Sequence, residues 1–359
     1  MPKILLTGGG TAGHVTPNLA LIPYLKEEGF EIEYMGSYDG IERRLVEQEG
    51  IPYTGIATGK LRRYLSVENL KDPFRVLKGI KEAKKYMKEQ RPDVVFSKGG
   101  FVVVPVVFAA KAHKIPIVIH ESDMSPGLAN KLCIRMADKI CYNFPESAEY
   151  LQKEKAIHTG LPIRDELFNG SKEKGLIICN FSDGKPVLMV VGGSLGATCI
   201  NDAVRNALPE LLQHFQIVHI CGEGKLSEAL NSTRGYRQFE YVNEDLSHLM
   251  AMSDCMISRA GANVLCEIHA LAKPALLIPL GTQASRGDQI LNAQSFEKRG
   301  FAKVLPEERM TKERLVTAIL EVYENREKYA EAMRRCSGEN AARRIAGILS
   351  ACVKERQEN

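Results

Sequence analysis

Two doubly wound α/β domains in one chain are what the sequence predicts, on three observations. Short β-branched runs alternate with longer amphipathic segments from the first residue, the alternation restarts near residue 186, and each series opens with a strand that ends in a glycine-rich loop. Alternation of this kind builds parallel sheets covered by helices on both faces.

In the first series, residues 4–7, 32–35, 94–97 and 115–119 read as buried parallel strands. Helical patterns over 16–28, 40–49, 74–90, 102–113 and 126–136 separate them, and right-handed crossovers between parallel strands then give a doubly wound sheet. Residues 186–191 begin the second series, with further strands at 215–220, 237–242, 254–258 and 274–278. The polar stretch 168–185, with Asn169-Gly170-Ser171 and Asp183-Gly184, reads as a linker. Residues 311–357 are helical by pattern and rich in Glu, Lys and Arg. At 359 residues the chain exceeds the roughly 250 to 300 at which a single core stops growing, so two Rossmann-like domains are expected.

Composition narrows the class. An apolar fraction of 44% with 26% charged residues is that of an ordinary globular protein. Nine cysteines lie scattered without a C-x-x-C pair and read as reduced, mostly buried thiols. The N-terminus runs straight into a glycine loop without the parts of a signal peptide, which points to the cytoplasm. The longest apolar run, 101–110, contains Pro105 and is half the length of about 20 residues that a membrane helix needs. A net charge of +4, with no nucleic-acid motif, argues against nucleic acid as a partner.

Charge is instead concentrated. Residues 60–91 carry eleven Lys and Arg against four Asp and Glu, a local +7. Lys78, Lys81, Lys85 and Lys88 fall in one helical stripe, and Val76, Ile80, Ala83 and Met87 on another face. A solvated lysine face is the ordinary reading of such a stripe. With Leu61, Tyr64, Leu65 and Phe74 nearby, contact with an anionic membrane surface is the other.

The glycine loops are the first candidates for chemistry. Gly8, Gly10 and Gly13 match G-x-G-x-x-G between a strand and a helix, where amides and the helix dipole favour phosphate. A dinucleotide site also wants an acid closing the second strand, but that strand ends Tyr34-Met35-Gly36-Ser37, which argues against a nicotinamide enzyme. His14 sits where this loop meets its helix, and an imidazole there can take a proton from a sugar hydroxyl near neutral pH. Gly192-Gly193-Ser194-Leu195-Gly196 repeats the arrangement, with Ser194 able to donate to a phosphate oxygen; the alternative is a tight structural turn. Glu267, about two turns into a helix opened by Ser258-Arg259-Ala260-Gly261, can accept two vicinal hydroxyls such as those of ribose. Gln289 and Asn292 share one helix face and are amides of the kind that read sugar hydroxyls.

Taken together, Gly8-Gly9-Gly10-Thr11-Ala12-Gly13-His14, Ser97-Lys98-Gly99-Gly100-Phe101, His120-Glu121-Ser122-Asp123, Gly192-Gly193-Ser194-Leu195-Gly196-Ala197, Ser258-Arg259-Ala260-Gly261 and Gly287-Asp288-Gln289 resemble the MurG family, in the family's order and across nearly the whole chain. That family makes lipid II from lipid I by inverting transfer of N-acetylglucosamine from UDP-GlcNAc. The resemblance implies a GT-B-like fold, two Rossmann-like domains facing across a cleft. It implies an acceptor and membrane-associating domain over 1–163, rejoined by a C-terminal helix at about 338–357, and a UDP-GlcNAc-binding domain over 164–337. Arg164 and Ser194 are then expected near the diphosphate, Val242 presenting backbone to uracil, Glu267 on ribose, and Gln289 with Asn292 on the sugar. Thr11, Ala12 and Gly13, counted among the donor-binding residues, and His14, the catalytic group, are expected where the muramyl 4-hydroxyl meets the anomeric carbon.

The resemblance further implies a peripheral enzyme on the cytoplasmic face of the membrane, with lipid I as acceptor. No cofactor is expected, and no metal, since no Asp-x-Asp motif is present and glycine amides with a helix N-terminus can take the diphosphate charge. Two departures stand out: Ala12 replaces a glycine common in the family, and Asp123, on the acceptor side, replaces an asparagine. A diacylglycerol glycosyltransferase and a UDP-GlcNAc epimerase of the same fold are the competing readings.

Overall fold

The structure is a computed structural model that describes residues 1–59, 72–193, 195–282, 286–336 and 338–358. The chain divides into two compact units, Met1–Arg164 with Gly338–Asn359, and Asp165–Ser337. The division falls just after Arg164, so this residue ends the first unit.

The first unit holds β1 (Lys3–Thr7), α1 (Ala12–Glu27), β2 (Glu31–Ser37), α2 (Ile41–Gln48), β3 (Tyr53–Ile56) and α3 (Asp72–Gln90). It continues with β4 (Val94–Ser97), α4 (Val103–Ala112), β5 (Ile117–Glu121), α5 (Leu128–Cys133), β6 (Lys139–Tyr142) and β7 (Ala156–His158). The second unit holds α6 (Lys172–Cys179), β8 (Val187–Val191), α7 (Thr198–Asn206), α8 (Leu208–His214), β9 (Gln216–Ile220), β10 (Tyr236–Phe239) and α9 (Leu246–Met252). After these come β11 (Cys255–Ser258), α10 (Ala262–Ala270), β12 (Ala275–Leu277), α11 (Asp288–Lys298), β13 (Lys303–Val304), α12 (Lys312–Glu324) and α13 (Arg326–Arg335). The last helix, α14 (Ala341–Glu358), belongs to the first unit.

Both sheets are parallel, in the orders β3-β2-β1-β4-β5-β6-β7 and β10-β9-β8-β11-β12-β13. Each reverses direction beside its first strand, at β1/β4 and at β8/β11. Ligands of doubly wound sheets bind in the crevice beyond the carboxyl ends of those two strands. The strands are apolar nearly throughout because both faces are covered. In the first unit, Ala83, Val106 and Cys133 pack from α3, α4 and α5 onto one face, while Leu21, Val46 and Leu349 pack from α1, α2 and α14 onto the other. Each buried Leu or Val among them contributes about 1.5 to 3 kcal/mol, and Ala83 less.

The terminal helix is held by named contacts. Asn340 Oδ1 accepts from Ala342 N at 2.9 Å and Arg343 N at 3.1 Å, capping α14, and its amide donates to Tyr24 Oη on α1 at 2.6 Å.

The stretch 168–185 is not a linker. Ser171 caps α6 by accepting from Lys174 N, the Ser171 amide donates to His248 Nδ1 at 3.0 Å, and α6 lies along α9 as part of the second unit. Its polar composition reflects the cap and an exposed face, and buried Leu176 and Cys179 turn inward. Helix α1 also starts earlier than its apolar pattern indicates, at Ala12, which brings Ala12, Gly13 and His14 into its first turn.

Candidate functional site

In the first unit, three loops meet beyond β1, β4 and β5. Gly9 N donates to the Gly99 carbonyl at 3.2 Å, which binds the first two of them together. Gly100 makes that approach possible: its φ is +85°, and a Cβ there would overlap the Gly9 carbonyl. His14 stands at the junction, with Nδ1 3.0 Å from the Gly9 carbonyl and 3.2 Å from Thr11 Oγ1. A carbonyl only accepts, so Nδ1 carries the proton and, in the neutral ring, Nε2 carries the lone pair. Nε2 is on the side of the β4 loop, where a Cβ on Gly99 would lie 3.5 Å from it. Thr11 and Gly13 are exposed, and Ala12 is half-buried.

Sequence reasoning missed Glu42. This carboxylate is fully buried, and it accepts from Gly10 N at 3.1 Å, from Ser37 N at 3.0 Å and from Ser37 Oγ. The amides of Gly9 and Gly10 are therefore both engaged within the protein. A negative charge beside this part of the loop opposes a diphosphate there, despite the G-x-G-x-x-G pattern. The only signal in the sequence was an acid in the first turn of a short helix, which has a commoner explanation in the helix dipole.

The β5 loop is built around another acid. Glu121 accepts from Ser122 N at 2.9 Å, Asp123 N at 3.1 Å, Gly127 N at 3.1 Å and Asn130 Nδ2 at 2.8 Å. Burial, then the charge of Asp123, pushes its pKa up, and the hydrogen bonds restrain the rise. Asp123 itself is half-buried. His120 is fully buried, with Nε2 donating to the Gly160 carbonyl at 2.8 Å. Burial, followed by the nearby Lys98 ammonium, holds its pKa well below the usual histidine value, so it is a neutral structural group. Lys98 Nζ donates to Ser122 Oγ, joining the β4 and β5 loops.

The second unit furnishes its loops differently. Ser194 lies outside the described residues, but its neighbours define the turn. Gly196 has φ +67°, and a Cβ on it would overlap the Cys221 carbonyl. Helices α7 and α10 follow the two central strands β8 and β11, have Ala197 and Gly261 at their N-caps with no side-chain cap, and carry no acid in the first turn. Two uncapped N-termini beside a glycine loop at the reversal of strand order are what an anionic group needs. Lys225 Nζ adds a cation there, donating to the carbonyls of Leu195 at 2.9 Å and Gly196 at 3.1 Å.

The remaining predicted residues divide. Glu267 is half-buried on α10, and Val242 is half-buried in the segment after β10. Gln289 Oε1 accepts from Ala260 N at 3.3 Å and Leu280 N at 3.0 Å, which ties the β11 and β12 loops together. Its side-chain carbonyl is thus used in bracing the loops. Asn292 has no exposed surface, and its amide donates to the Ala260 carbonyl at 3.2 Å. In this structure it shapes the loop and does not present its amide at a surface, because the helix face it shares with Gln289 packs against the β11 loop. Arg164 is half-buried at the end of the first unit. Of the basic segment, residues 60–71, with Leu61, Tyr64 and Leu65, lie outside the described residues. On α3, Lys78, Lys81, Lys85 and Lys88 are all exposed beside Phe74 and Leu77, whereas Ala83 and Met87 are buried. No helix among the described residues is long and apolar enough to cross a membrane, and no cluster of three metal-binding side chains occurs among them.

Comparison with known proteins covers both units. Residues 4–142 match the glycosyltransferase family 28 N-terminal domain and residues 187–347 its C-terminal domain. A protein of Lachnoclostridium phytofermentans named UDP-N-acetylglucosamine--N-acetylmuramyl-(pentapeptide) pyrophosphoryl-undecaprenol N-acetylglucosamine transferase is 58% identical over 97% of this chain and 98% of its own. One of the same name from Lachnospira eligens is 57% identical over 97% and 99%. Among solved structures, MurG of Acinetobacter baumannii superimposes with a TM-score of 0.77 at 25% identity, covering 98% of this chain and 100% of that one.

Proposed function

The chain belongs to the family of UDP-N-acetylglucosamine--N-acetylmuramyl-(pentapeptide) pyrophosphoryl-undecaprenol N-acetylglucosamine transferases, and from that premise we propose what each unit does. The enzyme transfers N-acetylglucosamine from UDP-GlcNAc to lipid I and forms lipid II for peptidoglycan synthesis. Identity of 58% running through both units carries this reading, because donor and acceptor chemistry need both.

UDP-GlcNAc binds the second unit. Its diphosphate is received by the Gly192–Gly196 turn with Ser194, by the uncapped N-termini of α7 and α10, and by Arg164. Uracil meets the backbone of Val242, Glu267 holds the ribose hydroxyls, and Gln289 offers its NH₂ to the sugar. Asn292 supports that site from beneath. Thr11, Ala12 and Gly13 meet the donor sugar at the reacting carbon, and Asp123 lies on the acceptor side. There the muramyl 4-oxygen attacks the anomeric carbon, the carbon–oxygen bond to UDP breaks with its electron pair leaving on the diphosphate, and the configuration inverts. His14 Nε2 takes the hydroxyl proton, the role that its Nδ1–Gly9 contact prepares.

The membrane is met by the first unit, through the exposed lysines and the apolar Phe74 and Leu77 of α3. The enzyme works there as a peripheral protein on the cytoplasmic face, where UDP-GlcNAc is available. Incubation with UDP-GlcNAc and a lipid I analogue should yield the disaccharide product and free UDP in equal amounts. Consumption of UDP-GlcNAc without acceptor, or transfer to diacylglycerol in place of lipid I, would overturn the reading.

A further inference from the structure

We propose that Glu42 is a positioning residue for the reaction, acting on His14 through the single peptide group between Gly9 and Gly10. The proposal rests on the reading of His14 as the base. Gly10 N–H, which donates to Glu42 Oε2 at 3.1 Å, and the Gly9 carbonyl, which accepts from His14 Nδ1 at 3.0 Å, are the two ends of one trans peptide. A buried carboxylate, a peptide and an imidazole thus form one hydrogen-bonded row.

Such a row has a direction. The carboxylate pulls on the N–H, which pushes electron density onto the carbonyl oxygen at the far end and makes it a better acceptor. The Nδ1–H tautomer of His14 is favoured, its ring orientation is fixed, and the imidazolium that forms as Nε2 takes a proton is stabilised. A carboxylate bonded directly to a histidine does the same in hydrolytic triads; here a peptide is interposed.

The surroundings keep the row from relaxing. Gly9 N is tied to the Gly99 carbonyl, Gly100 packs against the Gly9 carbonyl, and Tyr34 Oη donates to the Gly8 carbonyl at 2.7 Å. Ser37 N and Ser37 Oγ hold the other carboxylate oxygen, so Glu42 is fixed as firmly as the peptide it polarises. Among the described residues, the carboxylate is in contact with no Lys or Arg side chain. Its Oε2 is thus directed at the Gly10 N–H of the row.

The other ionisable groups on the loops that meet at His14 are Lys98 from the β4 loop, Glu121 and Asp123 from the β5 loop, and Tyr34 from β2. All four remain when Glu42 is changed, so a difference between wild type and Glu42→Gln reports Glu42. That substitution removes the charge at nearly constant volume, and the amide oxygen can keep only one of the two sets of donors, Gly10 N–H or Ser37 N–H and Oγ–H. Two readouts are needed: the pKa and tautomer of His14 by NMR of ¹⁵N-labelled histidine, assigned with His14→Gln, and the pH profile of kcat/KM with a soluble lipid I analogue.

Glu42→Gln should lower the His14 pKa by about half to one unit, the effect of one charge several ångströms away in a half-buried site. Its Nδ1–H tautomer should become less populated, and the acidic limb of kcat/KM should move down by the same amount. UDP affinity should stay near wild type, and the melting temperature should fall only modestly, because one buried donor loses its acceptor. Glu42→Asp, which retains the charge, should hold the His14 pKa closer to wild type than Glu42→Gln does. An unchanged His14 pKa and tautomer in a folded Glu42→Gln protein overturns the proposal. A lowered pKa with an unmoved kcat/KM limb leaves the row intact and instead removes His14 as the base.

Discussion

The two glycine loops of this chain look alike in sequence and are furnished in opposite ways. The loop after β1 has a buried carboxylate, Glu42, against one of its amides and an imidazole against the adjoining carbonyl. The loop after β8 has uncapped helix ends beside it and the ammonium of Lys225 on its carbonyls. In the function proposed above, the first arrangement disfavours phosphate and serves the base, and the second receives the phosphate. A glycine loop between strand and helix therefore specifies a backbone shape, and the side chains that reach its peptide groups decide which chemistry the shape serves.

Replacement of His14 should have the largest effect. His14→Ala is expected to lower turnover of a lipid I analogue by about 10² to 10⁴, the usual worth of a general base. Initial rates at saturating UDP-GlcNAc measure it, and near-normal turnover would break the assignment of chemistry to the first loop.

Next comes the lysine face, which belongs to the first unit alone. Each lysine near an anionic surface contributes up to about 1 kcal/mol. Lys78, Lys81, Lys85 and Lys88 changed together to Gln should abolish salt-sensitive flotation with anionic liposomes. Turnover of a water-soluble acceptor should be retained. Vesicle binding that survives all four changes would mark the stripe as a solvated face.

The units are alike in one respect. Each keeps a buried neutral histidine: His120 in the first, with its pKa held well below the usual value, and His219 in the second, pushed down to about 3 by burial and then Arg205. Because both folded values lie below the unfolded value of about 6.5, the unfolded chain binds the extra protons. Stability from these groups is present above pH 6.5 and is lost as pH falls towards the folded pKa values. At pH 5 the loss from His219 should be about 2 kcal/mol relative to pH 7, with a loss of the same sign from His120. Urea unfolding at the two pH values tests this, and His219→Asn should shrink the loss.

The smallest effect concerns Asp123. If its charge acts on His14, Asp123→Asn should move the acidic limb of kcat/KM to lower pH by a few tenths of a unit. A superimposable profile would exclude that role.

Much of the fold was legible because parallel strands buried on both faces leave unbroken apolar runs, as in 94–96 and 187–191. What hid was short or polar. Strands β3, β6 and β7 have only three or four residues and weak apolar patterns, and α6 hid in a stretch rich in turn residues. Among the candidate site residues, the place of His14 at the junction of the loop and its helix was legible from the glycines before it. The role of Glu42 was not, because it depends on a backbone amide 32 positions away in sequence. Asn292 was read as a reader of sugar and is buried as a brace, since helical periodicity gives a shared face but not what that face meets.

The division of work between the loops is tested most directly by titrating UDP, by calorimetry, into wild type, His14→Ala and Ser194→Ala. The account predicts wild-type affinity in His14→Ala and a loss of about 1 to 2 kcal/mol in Ser194→Ala, the worth of a hydrogen bond to a charged group. Weaker UDP binding in His14→Ala, with Ser194→Ala unchanged, would contradict it and place the donor on the first loop.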